Sequence, residues 1–234
     1  MTRSSFSRKI EKIFGNKVSI LFLWIGFAAT IFGAFIVLTS EVQEAANGEE
    51  ELIGTIDSLV TSSLQSIRSP GISEVATNIT ALGSGAVVTI LVIIAAALLM
   101  PFRKYHASIH LIVAAIGSGI LTKILKLWFV RPRPVDVSHL VVVDGFSYPS
   151  GHSLTSSAVY FAFAIIFCNE TRDWNSRWIV MALSLILICL IAITRVYLGV
   201  HFISDVLAGV LLGVGWAAFL GGVAHGLEIR RSKK

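Results

Sequence analysis

Charge is scarce in this sequence. Only 14% of its 234 residues are Asp, Glu, Lys or Arg, against roughly 25% in soluble domains, and that shortage points to a membrane protein. Cysteine is nearly absent as well. Cys168 and Cys189 sit inside apolar runs, lack metal-type spacing and are expected to be buried thiols. Pro70, Pro101, Pro132, Pro134 and Pro149 are the only prolines, and they fall at breaks between apolar runs. There is no internal repeat and no low-complexity tract. The net charge of +5 could suggest nucleic acid, but the cations are not massed on one helix or tail, so no nucleic-acid partner is expected.

Long apolar runs fill the space that charge leaves. The chain is 55% hydrophobic, with a mean hydropathy of +0.80. Val18–Leu38 is an unbroken run of about 20 residues, enough to cross a hydrocarbon core of about 30 Å. It follows a basic arm at 1–17, but it exceeds the ~7–15-residue core of a signal peptide and no clear cleavage site follows, so a retained first span is expected. Further runs at Val75–Met100, His106–Val130, His152–Cys168, Trp178–Ile193 and Ile203–Leu227 complete six spans. Ala114, Ala115, Gly117, Ser118 and Gly119 in the third permit close helix packing. Between the first two spans lies an acidic segment, 41–74. In it Leu52, Ile53, Ile56, Leu59, Val60, Leu64 and Ile67 recur at helical spacing, as in an amphipathic helix lying on the protein's outer surface.

The expected fold class is therefore all-α: a polytopic membrane protein with six transmembrane helices and one extracytoplasmic amphipathic helix. Thirteen of the 19 Lys and Arg residues fall on the side that holds both termini. The positive-inside rule places that side in the cytoplasm of a bacterial-type inner or plasma membrane. The organisation is then a cytoplasmic arm (1–17), a membrane domain (18–227) with an extracytoplasmic insertion (41–74), and a cytoplasmic basic tail (228–234).

The opposite, extracytoplasmic side collects three polar clusters. Lys126, Arg131, Arg133 and Pro134 close the third span, and Tyr148-Pro149-Ser150-Gly151-His152 opens the fourth. Thr194 and Arg195 close the fifth, while His201 and Asp205 open the sixth. Cations are costly in a bilayer unless they serve an anion, and guanidinium forks match phosphate oxygens. Ser150 is a natural N-cap and Gly151 lets backbone approach closely, so this helix start offers amides to an anion. His201 and Asp205, four apart, would share a helix face, with the carboxylate orienting the ring for attack on phosphorus. His152 could protonate the leaving oxygen. His106, His110, His139 and His225 are read as packing residues. With Asp136 and Asp144 in a loop and Asp205 alone at the helix ends, a magnesium site has too few carboxylates, so no metal and no cofactor are expected.

The three clusters resemble the motifs of the type-2 phosphatidic-acid phosphatase superfamily, matched here as Lys126-x6-Arg133-Pro134, Pro149-Ser150-Gly151-His152 and Thr194-Arg195-x5-His201-x3-Asp205. Thr194 replaces the usual Ser and keeps its hydroxyl. The resemblance implies metal-independent hydrolysis of lipid phosphates or pyrophosphates through a phosphohistidine on His201. It makes His152 the acid and Asp205 the catalytic partner of His201, with Lys126, Arg133, Pro134, Ser150, Gly151 and Arg195 binding the phosphate of a lipid partner. Candidate substrates are undecaprenyl pyrophosphate, phosphatidylglycerol phosphate and phosphatidic acid. Arg131 lies outside the motif and is assigned to a headgroup or to loop carboxylates. Two other readings are a vanadium-dependent haloperoxidase-like enzyme and a non-enzymatic lipid-phosphate binder or transporter.

Overall fold

The computed structural model describes residues 17–48 and 52–231. The basic arm before Lys17, Glu49 to Glu51 and the last three residues lie outside that range. The described residues form eight helices and no strand: α1 (Lys17–Ala46), α2 (Leu52–Ser66), α3 (Pro70–Ala81), α4 (Gly85–Leu99), α5 (Tyr105–Phe129), α6 (Gly151–Glu170), α7 (Trp174–Tyr197) and α8 (Ile203–Arg231). Five of them are long and apolar enough to cross a membrane, and a sixth span exists if α3 and α4 are taken together.

That pair departs from the single second span expected from Val75–Met100. Ser69-Pro70-Gly71 does interrupt the chain, but it also starts a helix: the Ser69 hydroxyl accepts from the Ile72 amide, and Pro70 occupies the first turn. α3 then stops, Ser84 caps α4, and the two helices meet at 45°. Gly83 sits at the bend because a Cβ there would fall 2.6 Å from Ile191 on α7. α1 is also longer than its apolar run. It continues past Leu38 to Ala46, so Glu41 and Glu44 ride on its end rather than in a separate segment.

α6 and α8 are the centre of the bundle. α8 packs against α1, α5, α6 and α7, and α6 packs against α4, α5, α7 and α8. Small residues on α8 make this possible. A Cβ at Gly209 would lie 2.7 Å from the Ser150 carbonyl oxygen, and one at Gly213 would collide with the Leu154 carbonyl. Gly117 of α5 does similar work against the Trp216 ring, and Ala114 and Ser118 are fully buried, whereas a Cβ at Gly119 would meet nothing. Large apolar side chains such as Phe22, Ile36, Ile90, Ile116, Leu127 and Leu183 point outward, as helices bathed in lipid require. Cys189 is among the exposed positions and Cys168 is half-buried, so the expectation of two buried thiols was wrong. An apolar run in a membrane helix has a lipid-facing side, and Cys189 falls on it.

α2 is amphipathic in an unexpected sense. Ile53, Val60 and Leu64 pack against the bundle, while Leu52 and Leu59 are exposed, as is Ile67 just past the helix end. The two buried residues of α2 are polar ones, Asp57 and Thr61.

The close approach of α6 and α8 can be tested by a single methyl group. Gly213→Ala should cost about 1–3 kcal/mol and lower the Tm of the detergent-solubilised protein, whereas Gly119→Ala should leave it unchanged or higher.

Candidate active site

The chain reaches the site first at the end of α5. Val130 caps this helix in the left-handed region at φ 50°, an uncommon conformation for a β-branched residue, and so reverses the chain toward the bundle. The loop that follows is tied back on itself. Ser147 donates from its amide to the Arg131 carbonyl at 2.8 Å and from its hydroxyl to the Pro132 carbonyl at 2.9 Å. Pro134 is buried, and its carbonyl is 2.8 Å from His139 Nε2. That contact satisfies His139 and makes Pro134 a fixed wall of the loop.

The second cluster begins where expected. Ser150 is fully buried and N-caps α6, accepting from the Ser153 amide, while its own amide donates to the Asp205 carbonyl at 3.0 Å. A Cβ at Gly151 would lie 3.0 Å from Thr122 of α5, so the glycine seats this helix start against α5. The capping role read from sequence is thus present, and the close approach at Gly151 is to Thr122.

The third cluster differs from the expectation in one respect. His201 is not on α8 but in the connection before it, because the helix starts at Ile203. The cause is Asp205, which sits in the first turn and accepts from the Phe202 amide at 3.0 Å, as an acid at this position does in a capping box. The histidine and aspartate still meet, with Nδ1 3.4 Å from Oδ2. Gly199 supplies the turn between α7 and His201: its φ is 80°, and a Cβ there would press on Arg68 and the Ser138 carbonyl.

The cations converge on His201. Arg133 donates to the Val200 carbonyl at 2.7 Å, and the same nitrogen lies 3.4 Å from His201 Nε2. Carbonyls of Asp144 and Gly145 hold the rest of its fork. Lys126 donates to the Phe146 carbonyl. Arg195 is 3% exposed; it donates to Thr80 Oγ1 at 3.1 Å and leaves its Nε without a protein acceptor. His152 feels Arg195, His201, Lys126 and Arg133 together, which places it in the same cluster. His201 is 2% exposed. Burial pulls its pKa down to about 4; Asp205 opposes the shift while Arg195 and Arg133 add to it. The ring is therefore neutral and able to offer a lone pair near pH 7.

Arg131 departs from the loop-carboxylate alternative of its assignment. It meets no loop carboxylate; it donates to Asp205 Oδ1 at 2.6 Å and to Asp57 Oδ2 of α2 at 2.8 Å. Burial alone would lower its pKa, but Asp205 and Asp57 more than offset that and raise it. Thr80 and Asp57 are the two site-lining groups that sequence reasoning missed. Thr80 carried no signal. Asp57 did: it is an acid at the spacing of Ile53, Val60 and Leu64, on the face of α2 that turns inward.

A sequence profile described as the PAP2 superfamily matches residues 107–225. The chain belongs to the PAP2 superfamily. It is 31% identical over 186 residues to phosphatidylglycerophosphatase B of Bacillus subtilis, covering 79% of this chain and 88% of that protein. It is 33% identical over 130 residues to an undecaprenyl-diphosphatase of Sulfolobus acidocaldarius, covering 53% of this chain and 58% of the other. In structure it is similar to the crystal structure of a transmembrane PAP2-type phosphatidylglycerolphosphate phosphatase from Bacillus subtilis. The TM-score is 0.74 at 30% identity, with 87% of this chain and 96% of the other covered. The all-α, multi-pass membrane architecture expected from the sequence is thereby that of a PAP2 membrane fold.

Arg195, expected from the sequence to bind the phosphate, is buried with its Nε lacking a protein acceptor. A charged hydrogen bond contributes about 1.5–3 kcal/mol, so Arg195→Gln should weaken inhibition by orthovanadate roughly 10- to 100-fold. A titration of inhibition in detergent measures this, and Thr80→Val should have a smaller effect.

Proposed function

We propose that this chain hydrolyses the terminal phosphate of lipid phosphates or lipid pyrophosphates, with His201 as nucleophile. The observation that carries the reading is the setting of one neutral, aspartate-backed imidazole within a ring of cations. His201 Nε2 attacks phosphorus while Nδ1 faces Asp205, which stabilises the positive charge that the ring gains. His152 takes up a proton together with the phosphate anion, whose charge offsets the surrounding cations, and the bond from phosphorus to the leaving oxygen breaks as it passes that proton on, releasing a lipid alcohol or a lipid monophosphate. His152 then takes a proton from the water that attacks phosphorus, and the phosphorus–nitrogen bond breaks, freeing phosphate and restoring His201.

Lys126, Arg133 and Arg195 offset the charge on the phosphoryl oxygens during both steps. The start of α6 at Ser150 and Gly151 adds its helix dipole. These groups supply the electrostatic stabilisation without a metal ion. The names of the relatives favour phosphatidylglycerol phosphate and undecaprenyl diphosphate as substrates. The charge distribution supports cytoplasmic termini and an extracytoplasmic site, where a polyprenyl carrier or a phospholipid headgroup is reached from the outer leaflet.

Detergent-solubilised protein with EDTA present should release phosphate from both lipids, and comparing kcat/KM across a lipid panel ranks them. His201→Ala should abolish release; full activity in that variant would overturn the nucleophile, and strict magnesium dependence would overturn the metal-free mechanism. Because only the neutral ring attacks, kcat/KM should not depend on His201 titration at neutral pH. It should fall about tenfold per pH unit below about 4, as protonation removes the nucleophile.

A further inference from the structure

Asp57 lies outside all three motifs, yet it is only 2% exposed and fully engaged. Its Oδ1 accepts from the Ser204 amide at 2.9 Å. Its Oδ2 accepts from the Ser204 hydroxyl at 2.7 Å and from Arg131 at 2.8 Å. Arg131 reaches on from there to the Ser204 hydroxyl at 2.8 Å and to Asp205 Oδ1 at 2.6 Å, and its guanidinium stacks 4.4 Å above the Phe202 ring. The other oxygen of Asp205 faces His201. One unbroken line thus runs from α2 to the imidazole: Asp57, Arg131, Asp205, His201.

The charges along that line decide what it does. A guanidinium paired with Asp205 alone would neutralise the carboxylate that has to offset the charge His201 gains on attack. A second carboxylate on the far side of the guanidinium leaves the three groups together with one negative charge, which remains available to the ring. The fork also fixes where Asp205 points, since it engages the oxygen that His201 does not use. His201 is otherwise faced by cations, Arg133 from the loop and Arg195 from α7, and by His152 from α6. Asp205 is therefore its sole negative neighbour among those groups, and its undiminished charge matters.

We propose that Asp57 and Arg131 are positioning residues for the reaction: Arg131 fixes the Asp205 carboxylate against His201, and Asp57 balances the guanidinium so that Asp205 keeps its negative charge. α2 thereby becomes part of the catalytic apparatus rather than a surface attachment. The assignment rests on His201 being the nucleophile.

The test is steady-state hydrolysis of phosphatidylglycerol phosphate in mixed micelles by the full-length chain. Asp57→Asn keeps the shape and removes the charge. It should lower kcat about 10- to 100-fold, the usual scale for outer-layer partners of an active-site ligand, with KM changed less than about twofold. The variant Asp57→Asn/Arg131→Gln removes both charges and should regain about threefold or more of the lost kcat while staying below wild type, because Asp205 recovers its charge but is no longer held by the guanidinium. A purely structural role predicts the opposite, a double variant no better than either single one. Unchanged kcat in Asp57→Asn, or no recovery in the double variant, would overturn the proposal. If Asp57→Asn is not monodisperse in detergent, Arg131→Lys carries the test. It keeps the charge but cannot bridge two carboxylates, so kcat should again fall at constant KM, and wild-type kcat would overturn the proposal. A His201→Ala variant measured alongside separates the two claims. If it stays active the nucleophile is wrong; if it is inactive while Asp57→Asn is unimpaired, only the positioning role fails.

Discussion

A carboxylate buried at the end of a membrane helix is expensive unless both of its oxygens are engaged, and Asp205 shows how this end of the bundle meets that constraint. One oxygen takes the Phe202 amide and faces His201, and the other takes Arg131. Its backbone carbonyl takes the Ser150 amide. The consequences spread outward. α8 must begin after His201, α6 must begin beside it, and the loop after α5 must bring Arg131 back into the bundle. The glycines along α8 let the helices come close enough for these bonds to form, so the packing and the chemistry share one geometry.

The same scarcity of charge explains why so much of the site was legible. In a chain this apolar, each polar residue at a helix end stands out, and Lys126, Arg133, Ser150, His152, Arg195, His201 and Asp205 fall in three clusters with readable spacing. Helix existence was readable for the same reason. What was not readable depended on contacts distant in the chain. The pairing of Arg131 with Asp57 spans 74 positions, and no local pattern predicts it, although the acid on the inward face of α2 was a hint. The donation from Arg195 to Thr80 depends on a bend between α3 and α4 whose only trace is Gly83-Ser84 inside an apolar run. The position of His201 off the helix was hidden because helical spacing and a capping aspartate produce the same sequence interval.

The division of labour among the arginines follows from their partners. Arg131 is consumed by carboxylates and remains charged; it holds the apparatus. Arg133 is anchored by carbonyls with its remaining edge toward His201, and Arg195 is buried with one nitrogen lacking a protein acceptor. In the proposed mechanism these two, with Lys126, meet the substrate. Family membership accounts for the cradle, while the link to α2 is a feature of the wider bundle built around it.

A nucleophilic His201 must pass through a covalent phosphohistidine. Enzyme mixed with radiolabelled phosphatidylglycerol phosphate and quenched within the first turnover should carry acid-labile, base-stable label on the peptide that contains His201, and His201→Ala should carry none. Label on a different residue, or the same labelling in His201→Ala, would contradict it.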